Sequence, residues 1–348
     1  MSVSKIIHIA THNPSMKVSQ QQALDDVLKC HNVSARGKEL YQRFFLDPGI
    51  QSRYLGVDKI ADIFQEHYDD TIVRFQRVAT HLATQAARSC LQKAHLTTDQ
   101  LDAMIITTCT GYLCPGLTSY VSESLRLKDN IFLLDLVGLG CAAALPAIRM
   151  ADNFLQCQEN RNVMVICVEV CSAAFSTGEE ADLLLSNAIF GDGAVACLIT
   201  NRKEVPGLGI YKQESLLLPQ FRDVLRFKIK NSRLCNVLSK KVPGLVARAV
   251  ENLMDRFEGM ADDYQFAFHP GGRTILDKIS EVLNLDEGQM AMSREIFRDY
   301  GNMSSPSVLF VLKRIMEEGL PLHKPVLAFS YGAGMSVHAT QMKWIDEN

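Results

Sequence analysis

Cys141 lies in the stretch VGLGCAAALPAIRMA (137–151), between a strand-like run and a helix-like one. Gly138 and Gly140 precede it, and Ala142, Ala143 and Ala144 follow. A free thiol has a pKa of about 8.5 and is a modest nucleophile at neutral pH. At a helix N-terminus the unpaired backbone N–H groups and the helix dipole favour the thiolate. The glycines permit a sharp turn out of the strand, and the alanines leave space for a substrate to reach sulfur. Pro146 fits only within a first helical turn, so the helix is expected to begin a residue or two late. A buried structural cysteine is the competing reading of the same stretch.

A nucleophilic cysteine needs a base, and often an amide to hold the geometry. His269 ends an apolar run in FAFHPGGRTILDKI and is followed by Pro-Gly-Gly and a helix-like segment. Alone it reads as a loop histidine. Asn302 stands in YGNMSSPSVLFVL, between a glycine and a Ser-Ser-Pro helix start, where a helix cap is the plain reading. All three candidates are bordered by glycine or small residues.

The elements that must position them alternate. Strand-like runs occupy 5–10, 101–108, 131–138, 162–170 and 194–200, then 264–270, 324–332 and 335–344; helix-like segments occupy 73–94, the stretch after Cys141, 243–257 and 305–318. This alternation predicts an α/β layered fold with mostly parallel strands. The 348 residues suffice for two domains or one large α/β unit. A net charge of −3, with 22% charged residues, gives no electrostatic case for nucleic acid or an anionic membrane surface. No apolar run reaches the roughly 18 residues of a membrane span. The ten cysteines are scattered without paired metal spacing, and the opening MSVSKIIHIA lacks a signal-peptide profile. A reduced, cytoplasmic protein with most cysteines in its core is the expectation. One short echo links the halves: GDGAVACLIT (191–200) and GAGMSVHAT (332–340) both begin Gly-x-Gly and run into strand-like residues.

Gly140-Cys141 before a helix, FHPGG (268–272) and YGNMSSPSVLF (300–310) resemble the type III polyketide synthases, the chalcone synthase-like family. FGDGA (190–194), VPGLV (242–246) and YGAGMSV (331–337) extend the resemblance, and CTGYLCPGLTSYV (109–121) resembles the bacterial branch. The resemblance implies a thiolase-like fold: two related α/β halves, 1–205 carrying Cys141 and 206–348 carrying His269 and Asn302, in an α-β-α-β-α layered sandwich that forms a homodimer. It implies an acyltransferase that loads a starter from a coenzyme A thioester onto Cys141. Malonyl-CoA then extends the starter by decarboxylative Claisen condensation, and in several members the chain cyclises to products such as pyrones or resorcinols. His269 would pair with the Cys141 thiolate, and His269 and Asn302 would bond the enolate-like oxygen formed as CO2 leaves. Such donors contribute about 2.7–4 kcal/mol each in measured oxyanion holes. No metal and no bound cofactor is implied, since coenzyme A thioesters are the substrates. Phe190 matches a phenylalanine that orients the malonyl unit, with core packing as its alternative.

The chain departs from plant members in two places. Their early lysines and arginines align with YQRFFLDPGIQSRYL (41–55), where only Arg43 and Arg53 offer charge for coenzyme A or a carrier. The stretch 222–241 is basic, and its Phe227-Lys228-Ile229-Lys230 alternation reads as a half-exposed strand. It is either a solvated face or, through Lys228, Lys230 and Arg233, a greeting for coenzyme A phosphates or an acyl carrier protein. In the substrate pocket, Cys109, Cys171 and Ala174 align with threonines and Asn236 with a phenylalanine, while Gly332 and Gly334 border the closing loop. Smaller side chains predict a larger or redirected cavity and a fatty acyl starter. Two alternatives remain: a ketoacyl synthase III-like enzyme that stops after one condensation, and a non-catalytic acyl-binding subunit.

Overall fold

The computed structural model describes residues 3–47, 49–230, 233–319 and 323–346. Pro48 of the LDPG turn, and Asn231 and Ser232 of the basic stretch, lie outside the described residues. The first half runs β1 (Lys5–His12), β2 (Met16–Ser19), α1 (Gln20–Cys30), α2 (Ala35–Phe45), β3 (Ser52–Leu55), α3 (Ile60–Gln65) and α4 (Tyr68–Lys93). It continues with β4 (Ala103–Thr107), α5 (Leu117–Leu125), β5 (Phe132–Leu136), α6 (Ala144–Gln156), β6 (Asn162–Glu169), α7 (Ala181–Ile189) and β7 (Gly193–Thr200). The second half comprises β8 (Gly207–Leu217), β9 (Leu225–Lys230), β10 (Arg233–Leu238), α8 (Val242–Met254) and β11 (Gln265–Phe268). It closes with α9 (Arg273–Leu283), α10 (Glu287–Tyr300), α11 (Pro306–Glu318), β12 (Val326–Gly332) and β13 (Ser336–Ile345).

Nine strands form one sheet in the order β11-β12-β13-β8-β1-β7-β6-β4-β5. Read outward from its middle, the order is β1-β7-β6-β4 on one side and β8-β13-β12-β11 on the other. The pairing directions match as well: antiparallel, antiparallel, then parallel on each side. Within the sheet the sides join where Lys5 and Ile6 pair with Gly209 and Leu208. β7 and β13 therefore hold equivalent places, and the two Gly-x-Gly turns precede them. The expectation of mostly parallel strands is corrected, because five of the eight pairings are antiparallel. The apolar runs that suggested it, such as β6 and β7 with every residue buried, report cover on both faces, which antiparallel strands can also have.

Helices fill three layers around this sheet. α6 and α11 each touch strands of both halves and share one apolar core with them. α4 covers β1, β6 and β7 through residues such as Phe75, Val78, Ala79, Leu82 and Ala86, the three-and-four spacing of an apolar helical stripe. α8 and α9 cover the second half. Pro146 is the third residue of α6 and Pro306 the first of α11, positions where the missing N–H has no intrahelical partner to lose.

Candidate active site

Cys141 sits in a 3-10 turn over Gly140–Ala142, ahead of α6, which begins at Ala144. Gly138 and Gly140 have φ of +95° and +56°, as the sharp turn requires. His269 follows the last residue of β11, and its backbone N–H bonds the Phe329 carbonyl at 2.9 Å. Asn302 lies between α10 and α11 in a one-residue parallel bridge with Phe190. Its N–H bonds the Ile189 carbonyl at 2.9 Å, and its carbonyl accepts from Gly191 at 3.0 Å.

These residues, distant in sequence, line one cavity of about 230 Å³: Cys141, His269, Asn302 and Phe190 are joined there by Tyr331, Leu185 and Ile189. The exposed Lys240 and Arg273 stand at its open end, where Arg273 pairs with Asp47 at 2.9 Å. The Asn302 carboxamide is locked, since Oδ1 accepts from the Ser304 N–H at 2.7 Å and Nδ2 donates to the Gly271 carbonyl at 3.1 Å. One Nδ2 hydrogen remains for a ligand. Burial pushes the Cys141 thiol up to about 12, with the Ser304 hydroxyl drawing it partly back, and drives the His269 imidazolium down to about 3. Each group held alone is neutral, so a charged pair can form only as a proton passes from one to the other.

Behind Cys141 lies a second, smaller space lined by Cys109, Cys171, Ala174, Asn236 and again Phe190. Its volume is about 30 Å³, far below that of the larger cavity. Leu225, Arg226 and Phe227 of β9 also wall this space, so the small side chains do not set its size alone. Gly332 and Gly334 line neither cavity, and Ala333 between them lines the smaller one. Gly332 serves the nucleophile's turn instead. A Cβ there would fall 2.4 Å from the Ala142 nitrogen and 2.9 Å from that of Cys141.

The two expected carrier-binding arginines separate. Arg43 is exposed on α2 but lines neither cavity. Arg53 is 1% exposed and bonds only within the chain, which removes it as a carrier contact. The two-residue strand period explains this, placing Arg53 on the face of the core residue Leu55. Within the basic stretch, Lys230 pairs with Glu180 and Arg233 bonds the Glu66 carbonyl, while Lys240 lines the larger cavity and Arg226 the smaller.

Sequence reasoning missed Glu169. Buried at the end of β6, its Oε2 accepts from the Cys109 and Thr110 N–H groups at 2.9 and 3.1 Å, and its Oε1 accepts from Ser305 Oγ at 2.7 Å. It ties the loop carrying Cys109 to the segment following Asn302. A carboxylate closing an otherwise apolar strand was the available signal.

The description "FAE1/Type III polyketide synthase-like protein" fits residues 6–217, and that of the chalcone and stilbene synthase C-terminal domain fits residues 210–345. The chain belongs to the type III polyketide synthases. Phloroglucinol synthase of Pseudomonas fluorescens is 27% identical over 340 residues, 95% of this chain and 96% of the relative. The 1,3,6,8-tetrahydroxynaphthalene synthase of Streptomyces coelicolor is 28% identical over 283 residues, 80% of this chain and 75% of the relative. Its crystal structure superposes with a TM-score of 0.88 at 25% identity, covering 98% of this chain and 99% of the other. PKS-I of the brown alga Ectocarpus siliculosus gives 0.91 at 26% identity, covering 99% of each chain. The fold of this type III polyketide synthase is thus the thiolase-like one, and its substrates are coenzyme A thioesters with no further cofactor.

Proposed function

We propose that this type III polyketide synthase loads a short acyl starter onto Cys141 and extends it with malonyl-CoA. As the starter thioester enters the larger cavity, the thiol proton passes to His269 and sulfur attacks the carbonyl carbon. Coenzyme A leaves as its thiol, taking the proton back. Malonyl-CoA follows; its C–CO2 bond breaks, and the electron pair becomes an enolate whose oxygen faces His269 and the free Asn302 N–H. The enolate carbon then attacks the acyl group, the Cys141 thiolate leaves, and a β-ketoacyl-CoA two carbons longer results. The convergence of Cys141, His269 and Asn302 on one cavity carries this reading. The cations at its open end, Lys240 and Arg273, suit the phosphates of coenzyme A or the acidic surface of a carrier protein.

Starter length follows from the smaller space. Of the two spaces that Cys141 lines, the one behind it is about 30 Å³ against about 230 Å³ for the other, which supports an acetyl-sized group in the smaller one. A homodimer is part of the same reading: β5 is an edge strand whose Phe132 is 49% exposed, and Val137 just after it and Met150 on α6 are 54% and 40% exposed. The division at 1–205 and 206–348 agrees with the repeated strand order. No helix among the described residues is long and apolar enough to cross a membrane, in keeping with a cytoplasmic enzyme.

Product mass tests the proposal. With acetyl-CoA and malonyl-CoA, products carrying two or more added two-carbon units are expected. A single added unit points to a one-step condensing enzyme, and acyl-CoA binding without turnover to an acyl-binding subunit.

A further inference from the structure

Arg53 is a buried charge that no carboxylate contacts among the described residues. Its Nε donates to Gln20 Oε1 at 2.7 Å, and one terminal nitrogen donates to the backbone carbonyls of Asn187, at 2.9 Å, and Phe190. The guanidinium lies 5.3 Å from the centre of the Phe45 ring. An arginine so enclosed is expensive to bury unless its donors are satisfied, and two of its acceptors lie on the segment that ends in a cavity residue. Its stem bounds the other segment too. Gly301 has φ +66°, and a Cβ there would fall 2.9 Å from the Arg53 Cγ and Cδ and 2.6 Å from the Ile189 carbonyl. Arg53 therefore packs where residues 189–191 and 300–302 run side by side, the bridge that sets Phe190 against Asn302. Cys141 belongs to a different turn, supported by Gly332 and by Ser330 Oγ, which donates to the Ala142 carbonyl at 2.8 Å.

We propose that Arg53 is a positioning residue chiefly for the extension step, fixing Phe190 and Asn302 at the cavity wall with little effect on the loading of Cys141. The role rests on the proposed function, and the experiment separates the two. Loading is read as acyl mass on the intact protein; extension is read as CO2 released from malonyl-CoA and as product formed. Arg53→Lys keeps the charge but cannot reproduce the fixed fork of donors. Gln20→Leu removes one partner, and with it the Gln20 Nε2 bond to the Ala188 carbonyl at 2.9 Å, but leaves the Arg53 bonds to the Asn187 and Phe190 carbonyls in place, providing a second variant should Arg53→Lys fail to fold.

For variants whose melting temperature shows a folded protein, acyl loading is expected within about twofold of wild type. Decarboxylation and product formation are expected to fall about 10²-fold for Arg53→Lys, the loss a misplacement of about 1 Å can bring, and less for Gln20→Leu. Equal loss of loading and extension would make Arg53 merely structural and overturn the proposal, as would extension unchanged in both variants. Absence of loading in the wild-type protein would instead overturn the proposed function.

Discussion

The two halves of the sheet place different chemistry at matching points. Beyond β4 comes Cys109, and beyond the equivalent β11 comes His269; ahead of the buried helix α6 lies Cys141, and ahead of α11 lies Asn302. In the second half the polar groups are linked through backbone, as the Asn302 carboxamide bonds the Gly271 carbonyl two residues from His269. In the first half, the Cys109 thiol lies 3.4 Å from the Ser304 hydroxyl of the opposite half. On the proposed function this is a division of labour on a repeated scaffold: one half would supply the atom that forms covalent bonds, and the other fixed donors for the charge that develops.

The sharpest way to break this comparison is Cys141→Ala. It should abolish acyl attachment and reduce product formation by about 10³-fold or more, as removal of a covalent nucleophile does. Product assayed by mass spectrometry at near wild-type levels would move the covalent role elsewhere. Asn302→Ala, on the other half, should spare acyl loading and reduce malonyl-CoA decarboxylation about 10²- to 10³-fold, the usual consequence of losing an oxyanion donor. Equal loss of both half-reactions would erase the proposed division.

His269 joins the halves, and pH reveals how. With His269→Gln the Cys141 thiol loses its proton acceptor, while burial, offset in part by the Ser304 hydroxyl, still holds it well above the usual thiol range. The thiolate fraction, and with it the iodoacetamide alkylation rate, should then climb about tenfold per pH unit through the neutral range. With the imidazole present to accept the proton, the wild-type rate should level off at lower pH; superimposable profiles would disconnect the two residues.

Gly332→Ala tests the support of the nucleophile's turn. The added Cβ would meet backbone nitrogen at 2.4 Å, and the displaced sulfur should lose about 10²-fold in loading rate, measurable by rapid-quench mass analysis. The smallest effect concerns the inner space. Phe227→Ala should raise kcat/KM for hexanoyl-CoA relative to acetyl-CoA by about tenfold, the scale of discrimination by small apolar volume. An unchanged ratio would mean that β9 does not set starter length.

Much of this was legible in the chain itself. FHPGG, YGNMSS and the glycine-flanked Cys141 each pointed to a turn at an element boundary, and the turns occur there because glycine and proline act locally. The short Gly-x-Gly echo marked equivalent strands β7 and β13. Strand direction was not legible, since burial on both faces leaves the same apolar pattern whichever way a neighbour runs. Arg53 was misplaced because charge was weighed ahead of strand period. The inner space was not legible for a related reason: the small side chains of Cys109, Cys171 and Ala174 are plain in the sequence, but their neighbours from β9 come from more than fifty residues later. Local rules locate turns; volumes depend on which distant segment fills the gap.

The most direct measurement is peptide mass mapping of the enzyme, acid-quenched after mixing with acetyl-, propionyl- or malonyl-CoA. The account predicts a thioester-linked acyl mass on the peptide containing Cys141, absent from Cys141→Ala. Acyl mass on the Cys109 or Cys171 peptide instead, or on none, would contradict it.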